Sequence, residues 1–212
     1  TLSSEKRDLI AKVCDEILDG QHNEQFPLVI WQTGSGTQSN MNINEVIANR
    51  GLEILGHKKG EYKYLHPNNH VNLSQSTNDA YPTAFRITLY EKIYELIDSM
   101  KILRASFAKK ADEFHEVIKM GRTQLQDAVP MTLGQEFNTY VVMIDEDMQR
   151  LKEAQQLVRE MNLGATAIGT GINSHPEYIK VVEQKLQDVT GRPFKTAKNL
   201  IEATQDTGAY IQ

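Results

Sequence analysis

The sequence holds 212 residues, 40% hydrophobic and 24% charged, with a formal charge of −5; this balance suits a folded chain and excludes a disordered one. Its 23 Lys and Arg are scattered without a basic run, so no nucleic-acid partner is expected, and no stretch approaches the roughly 18 to 20 apolar residues of a membrane span. The single cysteine, Cys14, excludes an intramolecular disulfide and a multi-cysteine metal site.

The segment Thr1 to Leu9 is polar and mixed in charge, unlike a signal peptide, and the expected compartment is the cytoplasm. The chain opens on Thr1 rather than Met and stops at Ala209-Tyr210-Ile211-Gln212 without a polar tail, so a piece of a longer polypeptide is expected. Residues 3–18 predict a helix, with Leu9, Ile10, Val13, Ile17 and Leu18 at helical spacing behind a Ser3-Ser4 cap. Cys14 falls on its apolar side as a small core residue. After Gly20 the pattern breaks, and Gln32 to Asn42 has the Gly, Ser, Thr and Asn chemistry of a loop. A second helix is predicted from about Ile43 to Gly56, followed by an irregular connection over 57–75 around Pro67.

Beyond Asn78 the character changes. Apolar or small positions recur every three or four residues from Phe85 to Ile118, which predicts one long amphipathic helix with Pro82 near its first turn. A second long run, Leu133 to Val158, advances by close to 3.6 residues per step and predicts a helix about 39 Å long. Shorter helices are predicted over Pro176–Val189 and from Leu200. Long helices with one apolar stripe must pack lengthwise on partners, so the expected fold is an all-α, long-helix bundle with a small, mostly helical N-terminal segment. The stripes are explained by packing alone. Any chemistry belongs to the connections.

Four polar segments lie between the helices: Gly34–Asn40, Ser74–Asp79, Gly121–Asp127 and Gly164–Gly171. Each supplies hydroxyls, carboxamides and backbone N–H groups, and Ser76-Thr77-Asn78 precedes a helix whose dipole favours an anion. Such a set suits a small carboxylate held by neutral donors. Any one of them is equally turn and cap chemistry, and spacing leaves both readings open. No metal site is expected, because Pro67-Asn68-Asn69 separates the neighbouring His66 and His70 and breaks a helical pair. No P-loop or dinucleotide fingerprint occurs, and no cofactor is expected.

The wording of these segments resembles the aspartase/fumarase superfamily over essentially the whole chain. The resemblance rests on Trp31-Gln32-Thr33-Gly34-Ser35-Gly36-Thr37-Gln38-Ser39-Asn40, on Ser74-Gln75-Ser76-Thr77-Asn78-Asp79, and on Gly121-Arg122-Thr123-Gln124-Leu125-Gln126-Asp127 running into Leu133-Gly134-Gln135. Ser76-Thr77, Met131-Thr132 and Asn162–Thr166 are similar to the ammonia-lyase branch, which acts on L-aspartate. The Trp31 lead is similar to the hydratase branch, which acts on L-malate. Hydratases carry a histidine where this chain has Gln124, which favours the ammonia-lyase side; a helical assembly module without activity is the reading of a different class.

The resemblance implies elimination of ammonia from a dicarboxylate to give fumarate through an aci-carboxylate, with no cofactor. It implies that Thr37, Ser76 and Thr77 hold the carboxylate that takes up charge, that Asn78 contacts the amino group, and that Thr123 and Gln124 hold the other end of the substrate. It further implies a homotetramer whose sites draw on three chains, with residues 1–75 in the N-terminal lyase domain and 76–212 opening the central helical domain. The family's base is a serine on a Gly-Ser-Ser loop followed by Met-Pro-x-Lys-x-Asn, and neither occurs here. No catalytic base is therefore expected among these residues, and residues 1–212 alone are expected to be inactive.

Overall fold

The computed structural model describes residues 2–32 and 34–211, which form two compact units, Thr1–Arg86 with Glu160–Gly208 and Ile87–Arg159 with Ala209–Gln212. Both are mostly helical, with two small two-stranded sheets. No described helix is long and apolar enough to cross a membrane.

In the first unit, α1 (Ser4–Leu18) starts where Ser3 accepts the Lys6 N–H, as the capping serine predicted. It packs on α2 (Thr37–Ile54) through Leu9, Ala48, Leu52 and the following Leu65. Glu16 on α1 receives Arg50 of α2 at 2.8 Å and His22 at 2.9 Å. Cys14 is half-buried, and burial pushes its thiol up. The second helix begins at Thr37 rather than near Ile43, so the polar run Thr37–Asn42 is helical. Its Asn40 and Asn42 carboxamides find partners outside the helix, and the composition alone reads as loop. The expected irregular connection contains a π-helical turn, Pro67–Val71, capped by His66 Nδ1, which accepts the Asn68 and Asn69 N–H groups.

The long helix α3 (Thr77–Glu113) starts eight residues before Phe85 and ends before Ile118. Pro82 therefore lies inside it and removes the N–H that would serve the Asn78 carbonyl. Asn162 supplies the replacement, its Nδ2 donating to Asn78 O at 2.9 Å. The remainder of this unit is β3 (Glu160–Met161), paired in parallel with β4 (Lys195–Thr196), and the helices α5 (Pro176–Thr190) and α6 (Leu200–Gln205). The predicted starts at Pro176 and Leu200 agree with these helices. Phe194 and Met161 are fully buried there.

In the second unit, the later part of α3 packs antiparallel on α4 (Leu133–Leu157), the second long helix the spacing predicted. Ile93, Ile97, Met148 and Val158 form the core, extended by Phe107, Phe114, Phe137 and Tyr140. Thr132 and Gln135 close a reciprocal capping box at the start of α4. Gly134 permits that start to sit against α3, since a Cβ there would lie 2.5 Å from Ala111 O. Between the helices stands a hairpin, β1 (Ile118–Thr123) and β2 (Gln126–Thr132). The polar segment 121–127 is thus the end of one strand, a turn and the start of the next.

Candidate functional site

The site is built from the first turns of two helices. Gly36 caps α2 with φ +76°, and a Cβ there would lie 2.3 Å from the Tyr81 ring. Only glycine permits both that conformation and that approach. Thr37 follows as the first, exposed residue of α2, its hydroxyl 3.4 Å from that of Ser35. Thr33 of the same block lies outside the described residues.

One turn further along, Asn40 and Asn44 share a helix face and both donate to Asn72 Oδ1, at 3.3 and 3.1 Å. Asn40 also donates to the Thr77 hydroxyl at 3.1 Å, and Asn72 donates to Gln75 O at 3.3 Å. These bonds stitch α2 to the start of α3. Sequence reasoning did not single out Asn40, Asn44 or Asn72 as site-building residues. The spacing of Asn40 and Asn44 was an available signal, once the stretch is known to be helical.

Ser76 precedes α3, and its Oγ accepts the Asn78 N–H at 3.3 Å while Asp79 Oδ1 accepts the Ser76 N–H at 2.8 Å. That reciprocal pair satisfies two N–H groups at the helix start. The other carboxylate oxygen of Asp79 accepts the N–H groups of Gly164 at 3.1 Å and Thr166 at 2.9 Å. Asp79 is fully buried. Burial pushes its carboxyl up, and the N–H donors of Ser76, Thr166 and Gly164 work against that rise. Asn78 is exposed, and its Nδ2 donates to Ala167 O at 2.7 Å. Tyr178 of α5 is drawn in through Gln75; burial, with nearby Asp79, pushes its phenol up.

Thr37, Ser76, Thr77 and Asn78 thus share one unit, and Asn40 links the α2 and α3 parts of it. Thr123 and Gln124 belong to the other unit. Thr123 ends β1 opposite Gln126, and Gln124 with Leu125 forms the two-residue turn at φ +49° and +63°. These values describe the primed turn that matches strand twist, here made without glycine. Leu125 is fully exposed. Among the described residues no group of three or more His, Cys, Asp or Glu is placed to hold a metal ion.

Chemically, the first cluster offers hydroxyls and a carboxamide around a buried carboxylate that is already saturated by backbone donors. Such neutral donors can meet a small anion, because the buried Asp79 carboxylate is taken up by the N–H groups of Ser76, Gly164 and Thr166.

Comparison with known proteins agrees in kind. The chain is 62% identical over 203 residues to a Helicobacter pylori protein named aspartate ammonia-lyase, covering 96% of this chain and 43% of that one. It is 52% identical over 212 residues to the Escherichia coli protein of the same name, covering 100% of this chain and 44% of that one. A Brucella melitensis structure described as fumarate lyase:delta crystallin superposes with a TM-score of 0.94 at 50% identity, over 99% of this chain and 45% of its own. The chain therefore spans less than half the length of the relatives it matches. The profile of one family, described as lyase, covers residues 1–212. On that match the chain belongs to the lyase family.

Proposed function

We propose that the complete polypeptide carrying this sequence is a cytoplasmic aspartate ammonia-lyase, converting L-aspartate reversibly to fumarate and ammonia. The observation that carries the reading is the cluster at the start of α3, where Ser76, Thr77 and Asn78 are held by Asn40, Asp79 and Ala167. The names of the relatives add support.

In this reading a base removes the proton beside one carboxylate, and the carbanion charge spreads into that carboxylate as an aci-dianion. Thr37, Ser76 and Thr77 bind that end, where donors aimed at developing charge stabilise the transition state more than the substrate. Asn78 receives the amino group. Thr123 and Gln124 hold the remote end. Gln124 has no titratable proton, so it positions by hydrogen bonds and cannot exchange one with a leaving water. The base is a residue outside these 212.

The partner is a second, third and fourth copy of the same chain. Apolar side chains left exposed on α3 and α4, among them Ile102, Leu103, Val142 and Met143, support burial between copies. Residues 1–75 fall in the N-terminal lyase domain and residues 76–212 open the central helical domain.

Ultraviolet detection of fumarate tests the reading, with L-aspartate and L-malate offered separately to the complete polypeptide. Fumarate from L-aspartate alone is expected. Fumarate from L-malate alone would replace the ammonia-lyase by a hydratase. Residues 1–212 purified by themselves should yield none from either substrate.

A further inference from the structure

The Asn78 carboxamide can face a ligand with either of its two ends, and its neighbours decide which. Its exposed side chain donates through Nδ2 to the Ala167 carbonyl at 2.7 Å, and no described group donates to its Oδ1. A carbonyl oxygen only accepts, so this contact assigns the amide nitrogen to Ala167 and leaves the oxygen outward. The polarity of Asn78 thus depends on where the Ala167 carbonyl stands.

That position is set by Asp79. Its Oδ2 accepts the N–H groups of Gly164 and Thr166, the latter immediately before Ala167. Thr166 holds φ +60°, a left-handed conformation unfavourable for a β-branched residue, and its hydroxyl donates to Ala165 O. Such a conformation persists where surrounding bonds over-determine it. The Ala165 carbonyl also accepts the N–H groups of Gly169 and Gly171, which closes the turn from the other side. Asp79 itself is buried, and its Oδ1 is committed to the Ser76 N–H. It reaches no ligand directly.

We propose that Asp79 is a positioning residue that, through the 164–167 turn, fixes the Asn78 carboxamide with its oxygen toward the substrate, so that the site selects an ammonium group. An ammonium offers only donors and needs an acceptor, and an amide turned the other way would meet it N–H to N–H. This rests on the lyase reading above and adds the origin of its preference for an amine.

The test compares L-aspartate with succinate, the same dicarboxylate skeleton without the amino group, in the complete polypeptide. KM for L-aspartate and the competitive inhibition constant of succinate are measured for wild type, Asp79→Asn, Asn78→Ala and the double variant. Asp79→Asn keeps shape but puts an N–H₂ against N–H donors on one side. The expected result is about a tenfold or greater loss of preference for L-aspartate over succinate in each single variant, with succinate inhibition unchanged. The double variant should lose no more than Asn78→Ala, as for two residues acting through one contact. A general loosening would weaken both ligands alike, and that outcome in an active enzyme overturns the inference alone. An Asn78→Ala enzyme with undiminished preference also overturns it. A wild type that makes no fumarate from L-aspartate overturns the lyase reading and this inference with it. If circular dichroism shows Asp79→Asn unfolded, Asp79→Ser, which leaves room for water at the Gly164 and Thr166 N–H groups, takes its place.

Discussion

Glu16 is only 14% exposed and takes hydrogen bonds from Arg50 and His22, the Arg50 bond being the stronger influence; together they bring its carboxyl down to about 2. An unfolded glutamate titrates near pH 4.3, so the folded state binds fewer protons between the two values. The stability Glu16 lends is complete above about pH 4.5 and is lost as pH falls toward 2. Glu16→Gln should therefore lower the urea midpoint at pH 7, and the gap from wild type should close as the pH of the titration is taken down to 2. Gly36 makes a second prediction at this scale. Gly36→Ala sets a methyl into the Tyr81 ring at a left-handed φ and should cost about 1–3 kcal/mol, whereas Gly34→Ala, with nothing within 4 Å of its Cβ, should leave the thermal midpoint nearly unchanged. The residues that resemble family motifs were legible singly in the sequence. Their supports were not: Asn72 meets Asn40 and Asn44 across 32 and 28 residues, and Asp79 meets Gly164 across 85. No local periodicity encodes such separations.

Elements were legible where one face is buried. The apolar stripe of α4 gave its bounds almost to the residue, because Tyr140, Ile144, Met148 and Leu151 pack toward α3 at helical spacing. The first turns of α2 and the β1–β2 hairpin lacked such a stripe. Thr37–Asn42 satisfies its side chains by hydrogen bonds rather than burial, and composition that favours turns masked the helix. The hairpin buries none of its strand residues, so no sustained alternation of polar and apolar marks its strands. Its turn is also strained, with Leu125 fully exposed at φ +63°. Leu125→Gly should relieve about 1 kcal/mol of that cost, read as slower amide exchange across Ile118–Thr132. By contrast Leu52→Ala, in the α1–α2 core where Leu52 is fully buried, should destabilise its unit by about 2–5 kcal/mol in urea unfolding.

For the whole molecule, the mostly helical class followed from two long stripes, but the compact units do not follow chain order. Residues 160–208 complete the unit begun by residues 1–86, and nothing in composition announces that return. Its consequence can be measured. A chain ended at residue 159 lacks the side-chain donor for the Asn78 carbonyl and the two backbone donors for Oδ2 of Asp79, while keeping the Ser76 N–H on Oδ1. The Asp79 and Ala80 amides should then exchange rapidly, while amides of α2 around Leu52 keep their protection, because the Leu9, Ala48, Leu52 and Leu65 cluster lies wholly before residue 159. Equal exchange in both places would mean that the α1–α2 core also depends on the later residues.

Pro82 gives the chain an order of assembly. A helix ordinarily completes its own backbone bonds within a turn, yet the Asn78 carbonyl waits for Asn162, 84 residues later, and the Asn78 side chain waits for Ala167. On a ribosome the α1–α2 core has emerged and can close long before either partner exists. The turn that opens α3 therefore sets last in its unit, when the returning segment reaches it. A nascent chain released early would hold a folded beginning in which the Asn78 carbonyl and carboxamide still lack their later partners.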